Sequence, residues 1–155
     1  VTIYMPESFP SGFKKNINRY KAEIVEVSEP VEIGEGIYST GELGQKIIEQ
    51  SLVINTEKGM VLITGCAHPG IATIVNKAKE LFKKDILLAM GGFHLSRETE
   101  SEIRYVISGL KKSGVKYIGP THCSGNTARQ LFRNEFNKYY VDIGTGKVIT
   151  LDELK

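Results

Sequence analysis

After residue 60 the chain repeats one pattern three times: a short apolar run, a glycine-bearing loop with a single histidine, then an amphipathic stretch of helical period. This restricts the fold more than any other feature. Met60–Thr64 leads into Gly65-Cys66-Ala67-His68-Pro69-Gly70, and then Ile71, Ile74, Val75, Ala78 and Leu81 fall on one face. Ile86–Met90 leads into Gly91-Gly92-Phe93-His94-Leu95 and a face of Ile103, Val106, Ile107 and Leu110, with Thr99 and Glu102 spaced as a capping box. Val115–Ile118 leads into Gly119-Pro120-Thr121-His122-Cys123-Ser124-Gly125 and a face of Ala128, Leu131, Phe132 and Phe136. Apolar residues recurring at helical spacing predict helices, and short continuous apolar runs predict strands buried on both faces. Their alternation predicts an α/β layer with a covered sheet.

Before residue 60 the pattern changes to strand and turn. Val1–Met5, Ala22–Val27, Ile37–Thr40 and Ser51–Ile54 read as strands and Phe13–Tyr20 as a short helix; residues 55–59 read as a hairpin loop into Met60–Thr64. Tyr139–Val141 and Val148–Thr150 read as closing strands around Gly144-Thr145-Gly146. The strand-rich start argues against a plain doubly wound fold. It places the chain as one domain, residues 1–155, of α/β (α+β) class.

The chain has three histidines, and all three lie in those loops, 26 and 28 residues apart. One histidine in a loop is ordinarily a surface residue. In an open α/β sheet, however, loops that follow parallel strands share one rim, where ligands bind. His68, His94 and His122 are therefore expected to converge. Neutral imidazole suits Zn²⁺ and, less selectively, iron or manganese, and it also transfers protons near neutral pH. The loops open into helix starts near Gly70 and Ser124–Gly125, whose free N–H groups suit a carboxylate or phosphate.

Cys66 and Cys123 sit beside two of these histidines. Neighbours on an extended segment point apart, so Cys123 and His122 read as a poor nucleophile–base pair, and both thiols read as small loop residues. There is no CxxC, P-loop or GxGxxG motif. Two cysteines without framework spacing favour a reducing, cytoplasmic setting. A net charge of +2 and the lack of an apolar run near ~20 residues argue against nucleic-acid and membrane partners.

The three histidine loops, in order and with Glu49-Gln50-Ser51-Leu52-Val53-Ile54 ahead of them, resemble the C-terminal motifs of the metallo-β-lactamase superfamily. The similarity is to a branch of metal-dependent hydrolases and dihydropterin–ribofuranosylaminobenzene phosphate synthase-like proteins, and it runs from about Tyr38 to Val148. It implies half of an αββα sandwich, the C-terminal half, with a mixed sheet and helices on one face. It also implies His68 and His122 as metal ligands, His94 as a catalytic, substrate-side group, and Gly92, Thr121 and Ser124 as substrate-binding residues. The implied cofactor is a divalent metal, zinc before iron or manganese, and the implied reaction is hydrolysis of a small anionic substrate. Alternatives are transfer of a dihydropterin-methyl group and a non-catalytic assembly module.

The family's HxHxDH motif is absent, since no histidine precedes His68, and the place of its bridging aspartate reads Gly91-Gly92-Phe93-His94. The remaining ligands are therefore expected from a missing N-terminal half or a second chain, with a homodimer as one form. This chain alone is expected to bind metal poorly and to be inactive, because a catalytic zinc needs about three protein ligands.

Overall fold

The computed structural model describes residues 1–154, the side chain of Asn18 apart. Where the sequence leaves apolar runs between turn residues, strands form: β1 (Thr2–Pro6), β2 (Glu23–Val27), β3 (Val31–Gly34), β4 (Ile37–Ser39), β5 (Leu52–Thr56), β6 (Gly59–Thr64), β7 (Ile86–Gly92) and β8 (Tyr117–Thr121). Where apolar residues recur at helical spacing, helices form: α1 (Ser11–Asn18), α2 (Ile71–Phe82), α3 (Glu100–Lys112) and α4 (Asn126–Phe136). No helix among the described residues is long and apolar enough to cross a membrane.

Strands β3 to β8 form one mixed sheet whose spatial order is the chain order. From β3 to β6 neighbours are antiparallel; β6, β7 and β8 are parallel, joined by α2 and α3 as crossovers. Thr56 pairs with Gly59, so Glu57 and Lys58 alone turn the β5–β6 hairpin, tighter than the predicted five-residue loop. The N-terminal β1–α1–β2 unit makes a separate two-stranded parallel sheet. The Gln50 amide ties it to the rest by donating to the Tyr4 carbonyl at 2.9 Å.

The predicted inward residues of α2, α3 and α4 do cover one face of the sheet. Ile74, Ile103, Leu110 and Phe132 are fully buried against Leu62, Ile86 and Ile118. Leu81 and Val106 are only half-buried, at the margins of their helical faces. Thr99 caps α3 with the full reciprocal box: its hydroxyl accepts from the Glu102 N–H, and Glu102 accepts from the Thr99 N–H.

The opposite face carries Val61, Leu87, Leu88 and Tyr117, covered by Ile149, Leu151 and Leu154 of the C-terminal segment rather than by a helix. An apolar groove of about 250 Å³ remains there, between Ile63, Met90 and Leu151. The helices thus lie on one face, as the resemblance implies.

Three local readings need correction. Val31–Gly34, outside the strands read from the sequence, pairs as an edge strand; preceded by Pro30 and ending in Gly34, its four residues are too few to show a period. Val115 belongs to the turn before β8, because its N–H donates to the Leu110 carbonyl and closes α3. The closing strands do not form. Asn137–Tyr139 is a 3₁₀ turn, Tyr140 makes a single bridge to Ile118, and residues 148–150 are irregular before the 3₁₀ turn Leu151–Glu153. Of those apolar side chains Tyr139, Val141 and Ile149 cover the sheet face, which needs no ladder, while Val148 is exposed.

Candidate functional site at the sheet rim

Parallel pairing brings the C-terminal ends of β6, β7 and β8 side by side, with Thr64 opposite Gly91 and Gly92 opposite Thr121. The approach is close. A Cβ on Gly91 would lie 2.2 Å from the Thr64 carbonyl oxygen, and one on Gly92 would lie 2.3 Å from the Gly65 oxygen and 2.7 Å from Cys123 Sγ. Side-chain hydroxyls stitch the loops: Thr64 donates to the Gly92 carbonyl at 2.9 Å, while Ser124 donates to the Thr121 carbonyl at 2.6 Å and accepts from the Phe93 N–H at 3.1 Å.

On this platform each loop holds one non-glycine residue in the left-handed region: Ala67 (φ 57°), His94 (φ 53°) and His122 (φ 48°). That conformation costs a side-chain-bearing residue about 1–2 kcal/mol and persists where surrounding contacts impose it.

The histidines meet on this rim. The His68 and His94 rings lie 4.4 Å apart, centroid to centroid, at 51°. Glu49 grips His68 twice: one carboxylate oxygen accepts from the His68 N–H at 2.8 Å, and the other lies 2.7 Å from Nδ1. A carboxylate beside Nδ1 selects the tautomer with the proton there. It leaves Nε2 with a free lone pair, the arrangement found behind metal-bound imidazoles. Both side chains are largely sheltered, His68 24% and Glu49 18% exposed.

His122 and His94 are exposed, and His122 connects to His68 through Cys66. The donor atoms of Glu49, Cys66 and His68 lie within 4.8 Å of one another, and so do those of Cys66, His122 and Cys123. Burial pushes the Cys66 thiol above its ordinary value, and the Cys123 side chain and the Glu49 charge push the same way.

His68, Pro69, Thr73 and His94 form one wall of a cavity of about 660 Å³; the segment from Leu43 to Ile47, including Lys46, forms the other. That volume suits a small-molecule ligand. Helix α2 starts behind Gly70 with no side-chain cap, which leaves its first N–H groups without helical partners, and Thr73 of its first turn lines the cavity.

The remaining predicted residues are placed unequally. Thr121 is half-buried at the end of β8, Ser124 is fully buried with its hydroxyl engaged, and Gly92 is buried between the neighbouring loops. Sequence reasoning did not single out Glu49, Cys66 or Cys123 as site residues. Glu49 lies in an irregular stretch whose only pairing is a bridge to Leu43, so no periodicity marks it. Its one signal is its place at the head of the segment that resembles the superfamily.

The donor set fits a divalent metal: imidazole, carboxylate and thiol atoms converge within ligand-closing distance around a sheltered, carboxylate-oriented histidine.

No family model matches the chain. It is 29% identical, over 163 aligned positions, to 7,8-dihydropterin-6-methyl-4-(beta-D-ribofuranosyl)-aminobenzene-5'-phosphate synthase of Methanocaldococcus jannaschii, covering 88% of this chain and 55% of that protein. It is 26% identical over 153 positions to an uncharacterised protein of the same organism, covering 86% of this chain and 59% of that one. The chain therefore spans a little over half the length of the curated relatives it matches. Among solved structures it superposes on a metal-dependent hydrolase of the β-lactamase superfamily with a TM-score of 0.76 and 29% identity, covering 86% of this chain and 60% of that one.

Proposed function

Because the chain has the metallo-β-lactamase superfamily fold, we propose that it forms the C-terminal part of a metal-dependent hydrolase acting on a small anionic ester, lactone or phosphoester. The observation that carries this reading is the Glu49–His68 pair, whose imidazole lines a cavity of about 660 Å³. His68 and His122 hold the metal, zinc in preference to iron or manganese, and Glu49 fixes the His68 ring. A bound divalent cation lowers the pKa of water toward neutrality and polarises the attacked group. His94, next to His68, takes or returns a proton at the reacting group. Lys46, Thr121 and the first N–H groups of α2 draw and orient the anion. Ser124 and Gly92 serve the substrate indirectly, by holding the loops in register. The remaining ligands come from an N-terminal half or a second chain, and the reducing environment that two free thiols suit is the cytoplasm.

A second reading has one specific support, the synthase relative: the same site transfers a dihydropterin-methyl group to an arylamine, with the metal binding a diphosphate leaving group.

The test is an assay of the metal-loaded protein, completed by the N-terminal half or second chain that supplies the remaining ligands, against a phosphodiester, a lactone and a pterin diphosphate with an arylamine acceptor. Hydrolysis abolished by His68→Ala is the expected result. Transfer to the amine in place of water would favour the second reading, and a completed, metal-loaded protein inert toward all three would end both.

A further inference from the structure

We infer that Cys66, Cys123 and His122 together bind a divalent cation, as a two-thiolate, one-imidazole site carried entirely by this chain. The inference rests on the reading that this rim binds metal, and it goes further by assigning two thiol ligands, Cys66 and Cys123, that the superfamily resemblance does not supply. Cys66 comes from the loop after β6; His122 and Cys123 come from the loop after β8. Strand β7 separates them, and it ends in Gly92. A Cβ there would sit 2.7 Å from Cys123 Sγ and 3.2 Å from the Cys66 Cα. The missing side chain is what lets the two thiols face each other across the intervening strand.

Adjacent residues rarely share a side, and on an extended segment His122 and Cys123 would diverge. Here residues His122–Ser124 form a 3₁₀ turn with His122 at φ 48°, and the bend returns both donor atoms to the same side. The three donor atoms lie within 4.8 Å of one another. Ligands about 2.0–2.3 Å from a tetrahedral metal stand roughly 3.3–3.8 Å apart, so closure needs only side-chain rotation. In the structure Cys123 makes a long contact, 3.6 Å to the Cys66 carbonyl, which a metal–sulfur bond replaces at little cost.

Two thiolates neutralise the dication, each thiol releasing its proton to solvent as the sulfur donates an electron pair. Soft sulfur with imidazole selects zinc over magnesium or manganese, and three protein ligands leave a fourth position open. This revises the expectation that the chain alone lacks enough ligands.

The test uses Co²⁺ as probe on the protein kept reduced with a phosphine. One cobalt per chain with sulfur-to-cobalt charge-transfer absorption in the near ultraviolet is expected. Cys66→Ser and Cys123→Ser should each lose about half of that absorption, and zinc should displace cobalt. Because substitutions at a crowded rim can unfold the chain, alkylation of the unsubstituted protein is the second measurement: bound zinc should protect both thiols from iodoacetamide. Cobalt bound without charge transfer, or thiols labelled equally with and without zinc, would overturn the assignment while leaving a histidine-held metal intact. Charge transfer in a protein that turns over none of the substrates above even when completed by its N-terminal half or second chain would uphold the assignment and end the hydrolase reading. Failure of the chain alone to bind cobalt would overturn the assignment, and failure of the completed protein to bind it would overturn the hydrolase reading as well.

Discussion

The two ends of the parallel strands use the same backbone conformation for opposite purposes. Where helices run back into strands, Lys83 (φ 52°) and Gly114 (φ 75°) take left-handed angles that finish α2 and α3, their N–H groups bonding back to the Lys79 and Lys111 carbonyls. This is ordinary C-cap chemistry, serving carbonyls the helix leaves open. Where strands run out into loops, Ala67, His94 and His122 take the same angles with no helix to finish. There the conformation is imposed by close-packed loops and aims or brackets the imidazoles. Backbone strain at one end serves folding; at the other it serves a site.

Glycine substitution separates the two ends most sharply. Gly91→Ala forces a side chain into the Thr64 backbone and should cost ~3 kcal/mol or more. Gly114→Ala meets nothing nearer than Lys79 Nζ at 3.5 Å and should cost only about 1 kcal/mol of backbone strain. Urea denaturation measures both, and equal costs would break the contrast.

Next comes charge. Glu49→Gln keeps the shape of the His68 partner and removes its charge, so zinc affinity should fall about 10–100-fold with the fold intact. Asp85→Asn, breaking the exposed Lys79–Asp85 pair at the other end, should leave zinc affinity unchanged. Competition titration with a chelator decides between them.

The smallest effect is the most diagnostic. Lys83→Gly and His94→Gly each relieve left-handed strain and should each stabilise by about 1 kcal/mol, yet only His94→Gly should lose turnover. Thermal melts paired with rates would expose the claim as wrong if both variants kept full activity.

Legibility in the sequence follows the same division. Helices α2 to α4 can be read because burial repeats every third or fourth residue, and the Thr99–Glu102 box can be read because its partners are three residues apart. The placing of His68, His94 and His122 on one rim could be inferred because parallel connections leave their loops no other edge to share. What escapes is any contact between irregular segments. Glu49 reaches His68 across nineteen residues, and Cys66 meets Cys123 across fifty-seven, with no period to announce either. The His122–Cys123 pairing escapes for a different reason: a three-residue 3₁₀ turn reverses the rule for extended neighbours, and nothing in Thr121-His122-Cys123-Ser124-Gly125 distinguishes the two geometries. The edge strand Val31–Gly34 and the irregular tail fail because short segments bounded by proline or glycine carry too few residues to show alternation.

The sheet's spatial order, identical to its order along the chain, bears on how the molecule assembles. Every strand docks on the one synthesised just before it, so the largest entropy loss per step is that of a single hairpin or crossover, and topology of this kind favours rapid, stepwise accretion. The cradle is completed only after the last strand, ahead of α4 and the C-terminal segment. A nascent chain that has laid down β3 to β7 already presents His68, Glu49 and Cys66, but the second thiol and the last imidazole arrive only with β8. Capture of the cation would then act as a latch on the docking of the last strand.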